Sequence, residues 1–366
     1  MFERPLFNFL FRLWNTVAAR RSVATCRGGC GSYAVQVGKY EKNRESYWFS
    51  ASFDTFNSSS IVSQGRRLGV IFVFKSIMSS ENGKTFVGIG SVFALGIGFA
   101  WAGSDGGATY VGIPVFAMGV VMAFLIQWIA FVPAMLKRTE MFFDLVGSVT
   151  YISVTLMALY FVPQADARSY ILALMVCIWA GRLGIFLFAR IHKAGSDRRF
   201  DNLKTSFVRF FGAWTLQGLW VTFTLAAALA GITSAKREPI GFLAIVGVSI
   251  WLTGFLFEAV ADYQKSTFKK NPGNREKFIQ SGLWSISRHP NYFGEIVLWV
   301  GVAIVAIPVL QGWQWAMLSS PFFVALLLIR VSGIPLLEKK ADEKWGGQSD
   351  YESFKRNTAV LIPKLW

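Results

Sequence analysis

The chain has 366 residues, 53% of them hydrophobic and only 16% charged, where a soluble domain usually carries about 25% charge. Several apolar runs of about twenty residues follow one another, each long enough to cross ~30 Å of hydrocarbon as a helix. This excludes an extracellular disulfide scaffold, a disordered chain and a soluble Rossmann enzyme, and predicts an all-α polytopic transmembrane bundle of about eight spans.

Residues 1–67 differ from the rest. They hold eight Arg and nine Ser against four acids, with no sustained apolar run. Residues 1–14 would form an amphipathic helix with Phe2, Leu6, Phe9, Leu10 and Leu13 near one face. Such a segment resembles an organellar transit peptide more than a secretory signal; the alternative is a disordered cytosolic tail. Cys26 and Cys30 form a loose pair with no second pair, and Cys177 lies in an apolar run, so neither a disulfide framework nor a metal quartet is expected. Leu68–Met78 is apolar but too short to span, and Lys75 interrupts it. The transmembrane domain is therefore placed at 68–366.

The predicted spans are Thr85–Gly103, Tyr110–Leu136, Met141–Val162, Ser169–Arg190, Ser206–Ile232, Pro239–Ala261, Asn291–Val309 and Trp313–Gly333. Lys and Arg in the connecting segments number 21 on one side and 3 on the other. That bias puts both termini in the cytoplasm by the positive-inside rule. The net charge of +16 is thus mainly a topology signal, also suited to anionic lipid or a phosphorylated cofactor, and nucleic acid is not an expected partner. Gly88-Ile-Gly90 sits inside a span with Phe93 where a third glycine is needed, so it is not a dinucleotide loop.

Charge inside a span is costly and normally meets a partner or a cavity. Asp144, near the start of the third span, is either an N-cap or a functional acid. Arg182 lies too deep in the fourth span to snorkel. It shares a helix face with Trp179, Phe186 and Arg190 and calls for a buried acid or an anionic ligand. The following loop, His192 to Asp201, reads as an ordinary cytoplasmic loop, and Gln217 as helix glue. At the end of the sixth span Glu258, Asp262, Lys265 and Lys269 fall on one face if the helix continues. Next, Arg288, His289, Asn291, Tyr292 and Glu295 crowd one membrane boundary. There Pro290 suits the first helical turn and lets Asn291 and Glu295 project together.

Gly282-Leu-Trp-Ser-Ile-Ser-Arg-His-Pro-Asn-Tyr-Phe-Gly-Glu295 resembles the C-terminal signature of the steroid 5-alpha-reductase and sterol-reductase superfamily. Gln264-Lys265, Phe268-Lys269 and Asn271-Pro272 resemble the preceding sterol-reductase pattern, with Lys269 where that pattern has Arg. The tail from Glu338 through Lys344-Trp345-Gly346 and Tyr351 to Leu361-Ile-Pro363 is similar to the family's ending. Trp179-Ala-Gly-Arg182 extends the likeness upstream, so that it covers residues 140–366. The Arg-His-Pro-x-Tyr core is shared with isoprenylcysteine-type membrane methyltransferases.

The resemblance implies NADPH-dependent reduction of a carbon–carbon double bond in a sterol-like or polyprenoid substrate. The alternatives are S-adenosylmethionine-dependent methyl transfer and a non-catalytic scaffold. It implies phosphate-binding cations among Arg182, Arg190, Lys265, Lys269, Arg288 and Lys344, and hydrogen bonds to the cofactor from Asp262, Asn291 and Glu295. Trp284 and Tyr292 would pack on a ring, with His289 and Tyr351 also at the cofactor. Asp144 and Arg182 would act on the substrate, while Trp179 stands where the family places a tyrosine. The expected partners are the bilayer and a lipophilic small molecule, without a metal. The expected location is the endoplasmic reticulum membrane, or otherwise an organellar one.

Overall fold

Inside hydrocarbon every backbone amide must be bonded within the chain, so apolar runs of this length become helices. The computed structural model describes residues 37–40, 47–49, 81–195, 197 and 200–364. The described residues fall into two units, a helical one from Thr85 onward and one that ends at Lys84. In the latter, the described strands β1 (Val37–Tyr40) and β2 (Tyr47–Phe49) pair antiparallel. The expected amphipathic segment, the Cys26–Cys30 pair and the Leu68–Met78 run lie outside the described residues.

Among the described residues eight helical segments are long and apolar enough to cross a membrane, and the chain is a multi-pass membrane protein. The first seven are built on α1 (Glu81–Ser104), α2 (Val115–Lys137), α3 (Phe143–Phe161), α4 (Ala167–Ala194), α5 (Phe207–Thr233), α6 (Phe242–Lys270) and α8 (Pro290–Ala306). A single-turn helix α7 (Leu283–Ile286) leads into α8. The eighth segment, Gly312–Trp345, is not one regular helix. It opens as a 3₁₀ stretch (Gly312–Ser319), continues as α9 (Ser320–Leu326) and widens into a π-turn (Leu327–Val331). After a break at Ser332–Gly333 it resumes as α10 (Ile334–Trp345), followed by α11 (Ser349–Asn357).

The second span starts later than the sequence pattern predicts. Thr109–Tyr110 (β3) and Ile113–Pro114 (β4) form a hairpin whose turn residues, Val111 and Gly112, both have positive φ, as a tight two-residue turn requires. The preceding segment is tied to the end of α5 by Ala108 N–H to Thr233 O at 2.6 Å and Ala235 N–H to Gly106 O at 2.9 Å. Arg168, which lies between the third and fourth predicted spans, is only 1% exposed. Its guanidinium donates to Val305 O (2.7 Å) and Pro239 O (2.8 Å), so it ties the last turn of α8, where free carbonyls collect, to the segment that leads into α6.

The helix α5 sits at the centre and is buried along most of its length, its run Leu225-Ala-Ala-Ala-Leu-Ala-Gly231 lying wholly inside. Small side chains there let neighbouring backbones approach closely. The closest approach is between α6 and α8. Gly247 and Gly254 on the first and Gly294 and Gly301 on the second, each pair seven residues apart, leave the two backbones in direct contact. A Cβ at Gly294 would lie 2.5 Å from Glu258 N and 2.6 Å from Gly254 O, and one at Gly301 would lie 2.5 Å from Trp251 N. This contact sets Glu258 and Asp262 beside Asn291 and Glu295.

Candidate functional site

At the basic end of the bundle three helices bring charge together inside apolar surroundings. Arg182 of α4 donates from Nη1 to Asp262 Oδ2 at 3.1 Å and from Nη2 to Glu258 Oε1. The second oxygen of Glu258 accepts from Trp179 Nε1 at 3.2 Å, and Asp262 Oδ1 accepts from Asn291 Nδ2 at 3.3 Å. Glu258 is 2% exposed and Asp262 6%. Glu295 of α8 lies within electrostatic reach of Glu258, Asp262 and Arg182. Arg182 therefore has the buried acidic partners its depth demanded, in fact two of them, with a third close by. Burying such charges costs several kcal/mol each unless every one is paired. The pairing here is incomplete: Arg182 Nε and Asn291 Oδ1 are buried without a hydrogen bond.

The continuation of α6 to Lys270 places Lys265 and Lys269 beyond the acids, on the same helix face. Lys265 Nζ stands 4.1 Å over the ring of Trp284, a favourable cation–π placement, while Trp284 Nε1 donates to Ala261 O at 3.1 Å. Lys265 and Lys269 are close enough to repel each other and to feel Arg190, and Lys269 also feels Lys344. Arg190 is countered by Asp144 at 3.7 Å, both partly solvated. Asp144 sits in the first turn of α3, whose N-cap is Phe142, so the N-cap alternative does not hold. A carboxylate there still complements the helix dipole.

Other residues expected at a cofactor have protein partners. Glu338 of α10 accepts from His289 Nε2 at 2.7 Å and pairs with Arg288 Nη1 at 2.7 Å. Burial, outweighing the hydrogen bond to Glu338, holds the His289 imidazole below the ordinary histidine range. Its Nδ1 has no partner, and Tyr292 stacks on its ring at 5.7 Å. Arg288 N–H donates to Ala359 O and Ser287 Oγ to Leu361 O, both at 2.8 Å, which lays the tail along the entrance of α8. Lys344 Nζ reaches Arg275 O at 2.8 Å and Glu276 at 3.2 Å. Tyr351 is buried against Phe278 and Trp345 and donates to Asp342 at 3.1 Å. Burial first, and then that carboxylate, raise its pKa.

Two features escape the sequence reading. Glu258 is visible there only as a carboxylate in an apolar stretch, yet it is the partner shared by Trp179 and Arg182. Tyr151, in an unremarkable part of the third span, meets Trp179 edge-on at 5.2 Å and turns its hydroxyl to Thr224 of α5. Nothing in its neighbourhood along the chain marks it. Among the described residues no group of three or more His, Cys, Asp or Glu side chains is arranged to hold a metal ion.

Comparison with known proteins bears on residues 130–358, which match a family described as a protein of unknown function (DUF1295). Among curated proteins, a probable O-methyltransferase of Ustilaginoidea virens is 32% identical over 121 residues, 29% of this chain and 42% of that protein. A 3-oxo-5-alpha-steroid 4-dehydrogenase 1 of Bos taurus is 28% identical over 123 residues, 33% of this chain and 42% of its own. A Delta(14)-sterol reductase of Arabidopsis thaliana is 31% identical over 90 residues, 22% of this chain and 24% of its own. The matched stretch thus spans less than half of these relatives. No solved structure gives a significant match.

Proposed function

The chain belongs to the DUF1295 family, of the steroid 5-alpha-reductase kind, and from that premise we propose an integral-membrane, NADPH-dependent reductase. Its substrate is a lipophilic molecule, sterol-like or polyprenoid, whose carbon–carbon double bond is reduced. The observation that carries this reading is the sequence of groups along one face: buried acids and an amide first, then mutually repelling cations. A dinucleotide phosphate has the same order, from carboxamide and ribose to its several phosphates.

The residues fit such a ligand. Asn291 Oδ1 and Arg182 Nε are buried with unused hydrogen-bonding capacity, and a buried polar atom without a partner costs about 1–3 kcal/mol. Asp262, Asn291 and Glu295 would bond the carboxamide and ribose, with Arg182 holding the acids in place. Arg190, Lys265, Lys269 and Lys344 would meet the phosphates, and Trp284 and Tyr292 would offer flat faces. Arg288, His289 and Tyr351 act through Glu338 and Asp342 by holding α10, the helix that carries Lys344. Asp144 orients Arg190. When bound, the reduced nicotinamide supplies hydride. Around it these side chains orient the ring, and the helices keep water out, where fixed charges act most strongly. The endoplasmic reticulum is the membrane proposed, with the reductase part in residues 68–366.

A second reading, methyl transfer from S-adenosylmethionine, is favoured by the similarity to the probable O-methyltransferase. The cations argue against it, because that cofactor is itself cationic and carries no phosphate. Thermal shift in detergent with each cofactor separates the two. Saturation at a hundredfold over Kd stabilises a protein by about 2.7 kcal/mol, so NADPH should raise the midpoint by several degrees and S-adenosylmethionine should leave it unchanged. Lys269→Ala should reduce NADPH affinity roughly tenfold at low salt, less at high salt, as expected of a charge-assisted contact. A shift by S-adenosylmethionine alone would transfer the chain to methyl transfer; a shift by neither would leave it a scaffold.

A further inference from the structure

The connection from α1 to α2 is built unlike a water-facing turn. Residues 106–114 carry no charged side chain, and around the tip of the β3–β4 hairpin Tyr110 is 46% exposed, Val111 83% and Ile113 56%. Two-residue hairpin turns favour Asn or Gly where φ is positive. Val111 instead holds φ at 50°, a left-handed conformation that is a genuine outlier for a β-branched residue. Such strain persists only where the surrounding structure fixes it, and it gathers at sites with a task. Here the base of the hairpin is fixed. Gly106 O accepts from Ala235 N–H at 2.9 Å and from Gln311 Nε2 at 3.2 Å, and Ala108 N–H donates to Thr233 O at 2.6 Å.

Two observations give the depth of the tip. Tyr110 packs against Phe161 at a ring distance of 4.6 Å, and Phe161 is the last residue of α3, which has 19 residues. At 1.5 Å per residue that helix is about 28 Å long, no longer than the ~30 Å of hydrocarbon. Its other end is marked by the partly solvated Asp144–Arg190 pair, so Phe161 and the ring of Tyr110 lie at the edge of the hydrocarbon and not beyond it. In addition, Trp101 and Trp313, in contact at 5.6 Å, are exposed at this same end of the bundle, as are Tyr160 and Tyr170. Exposed Trp and Tyr mark the headgroup level of a bilayer.

We propose that this hairpin is an interfacial anchor: Tyr110, Val111 and Ile113 dip into the headgroup–acyl boundary of the leaflet opposite the basic face, and the partner of this surface is the lipid itself. The anchor is independent of the reductase reading. Apolar side chains at that depth leave water, while β3 and β4 close backbone hydrogen bonds on each other and the turn amides stay at the headgroup level, where they remain solvated. An Asn at the tip would relax the backbone but draw it towards water, which accounts for the strained valine. A protein partner fits less well, because a specific interface needs upward of about 1,000 Å² and three side chains offer far less. The anchor also answers an asymmetry. On the basic face Lys and Arg snorkel and hold the bundle at its depth. The opposite face has 3 of them against 21, and there aromatic and aliphatic side chains take over the task. Because the base of the hairpin is bonded to the end of α5, the tip holds the central helix at its depth.

The test uses the full-length chain without its three native cysteines, spin-labelled at Val111→Cys and, separately, at Ile113→Cys, in phosphatidylcholine vesicles. Collision of the label with oxygen, which concentrates in hydrocarbon, is compared with collision with a water-soluble nickel chelate. Ile97→Cys, on the exposed face of α1, is the lipid control, and Gly273→Cys, exposed beyond the end of α6, is the water control. The oxygen-to-nickel ratio at both hairpin positions should stand several-fold above that of Gly273→Cys and below that of Ile97→Cys, as a boundary depth requires. Ile113→Cys leaves the strained turn residue in place, so it reports even where Val111→Cys disturbs the hairpin. A ratio at Ile113→Cys equal to that of Gly273→Cys puts the tip in water and overturns the anchor. Shielding of that label from both reagents overturns it too, since protein, such as a second copy of the chain, would then cover the tip.

Discussion

Replacing Arg182 by Met tests the cluster most directly. The guanidinium holds Asp262 at 3.1 Å and Glu258 together, and both carboxylates are nearly sealed from solvent. Met fills a similar volume without charge, so the substitution strands two acids beside each other with Glu295 in reach. Breaking a buried ion pair by removing one partner costs about 3–5 kcal/mol. At about 2–4 °C per kcal/mol for a unit of this general size, the melting midpoint in detergent should fall by roughly 6–20 °C. Arg182→Lys should rescue little, because a single ammonium does not reproduce a planar fork that engages two carboxylates. Arg182→Met combined with Glu258→Gln should recover part of the loss, since the pair is coupled and the effects are not additive. An Arg182→Met midpoint within about 1 °C of wild type would refute the argument, because an uncompensated buried acid pair cannot be free of cost.

Gly254→Ala should lower the yield of folded protein sharply, because the added methyl would overlap Leu298 N and Gly294 O, which are backbone atoms unable to turn aside; size-exclusion profiles in detergent read this, and a wild-type profile would contradict the backbone contact. For His289, whose folded pKa lies below its unfolded value near 6.5, the unfolded chain takes up the proton first as the pH falls. Its contribution is therefore complete above about pH 6.5 and declines below it until the folded imidazole protonates. His289→Gln keeps a donor for Glu338 and should lose less stability than wild type between about pH 7 and 5.5; an equal or steeper decline would show that the histidine is not the source. In a background without the three native cysteines, Gly273→Cys should react with an impermeant maleimide only from the cytoplasmic side and Lys236→Cys only from the other. Labelling of Gly273→Cys from the far side would undo the orientation drawn from the charge bias.

Much of the architecture is legible along the chain because a bilayer imposes it locally. Runs such as residues 210–233 are apolar, long and free of charge, and backbone satisfaction in hydrocarbon leaves them one regular form. The depth of Arg182 in an apolar run called for a buried acid, and Pro290 set Asn291 and Glu295 on one helical face. Those are statements about one helix at a time. Which acids answer Arg182 depends on how α4 meets α6, and what stands beside those acids depends on the glycine contact of α6 with α8, where a Cβ at Gly294 would lie 2.5 Å from Glu258 N. Arg288 and His289 stand in a run dense with cofactor-like chemistry, yet their partner is Glu338, 49 positions beyond His289. The position of Tyr151 carries no mark in its own span, because the hydroxyl it faces, that of Thr224, comes from α5. Periodicity and composition report what a helix must bury; they are silent on which buried atom meets which, because that depends on how closely two backbones approach.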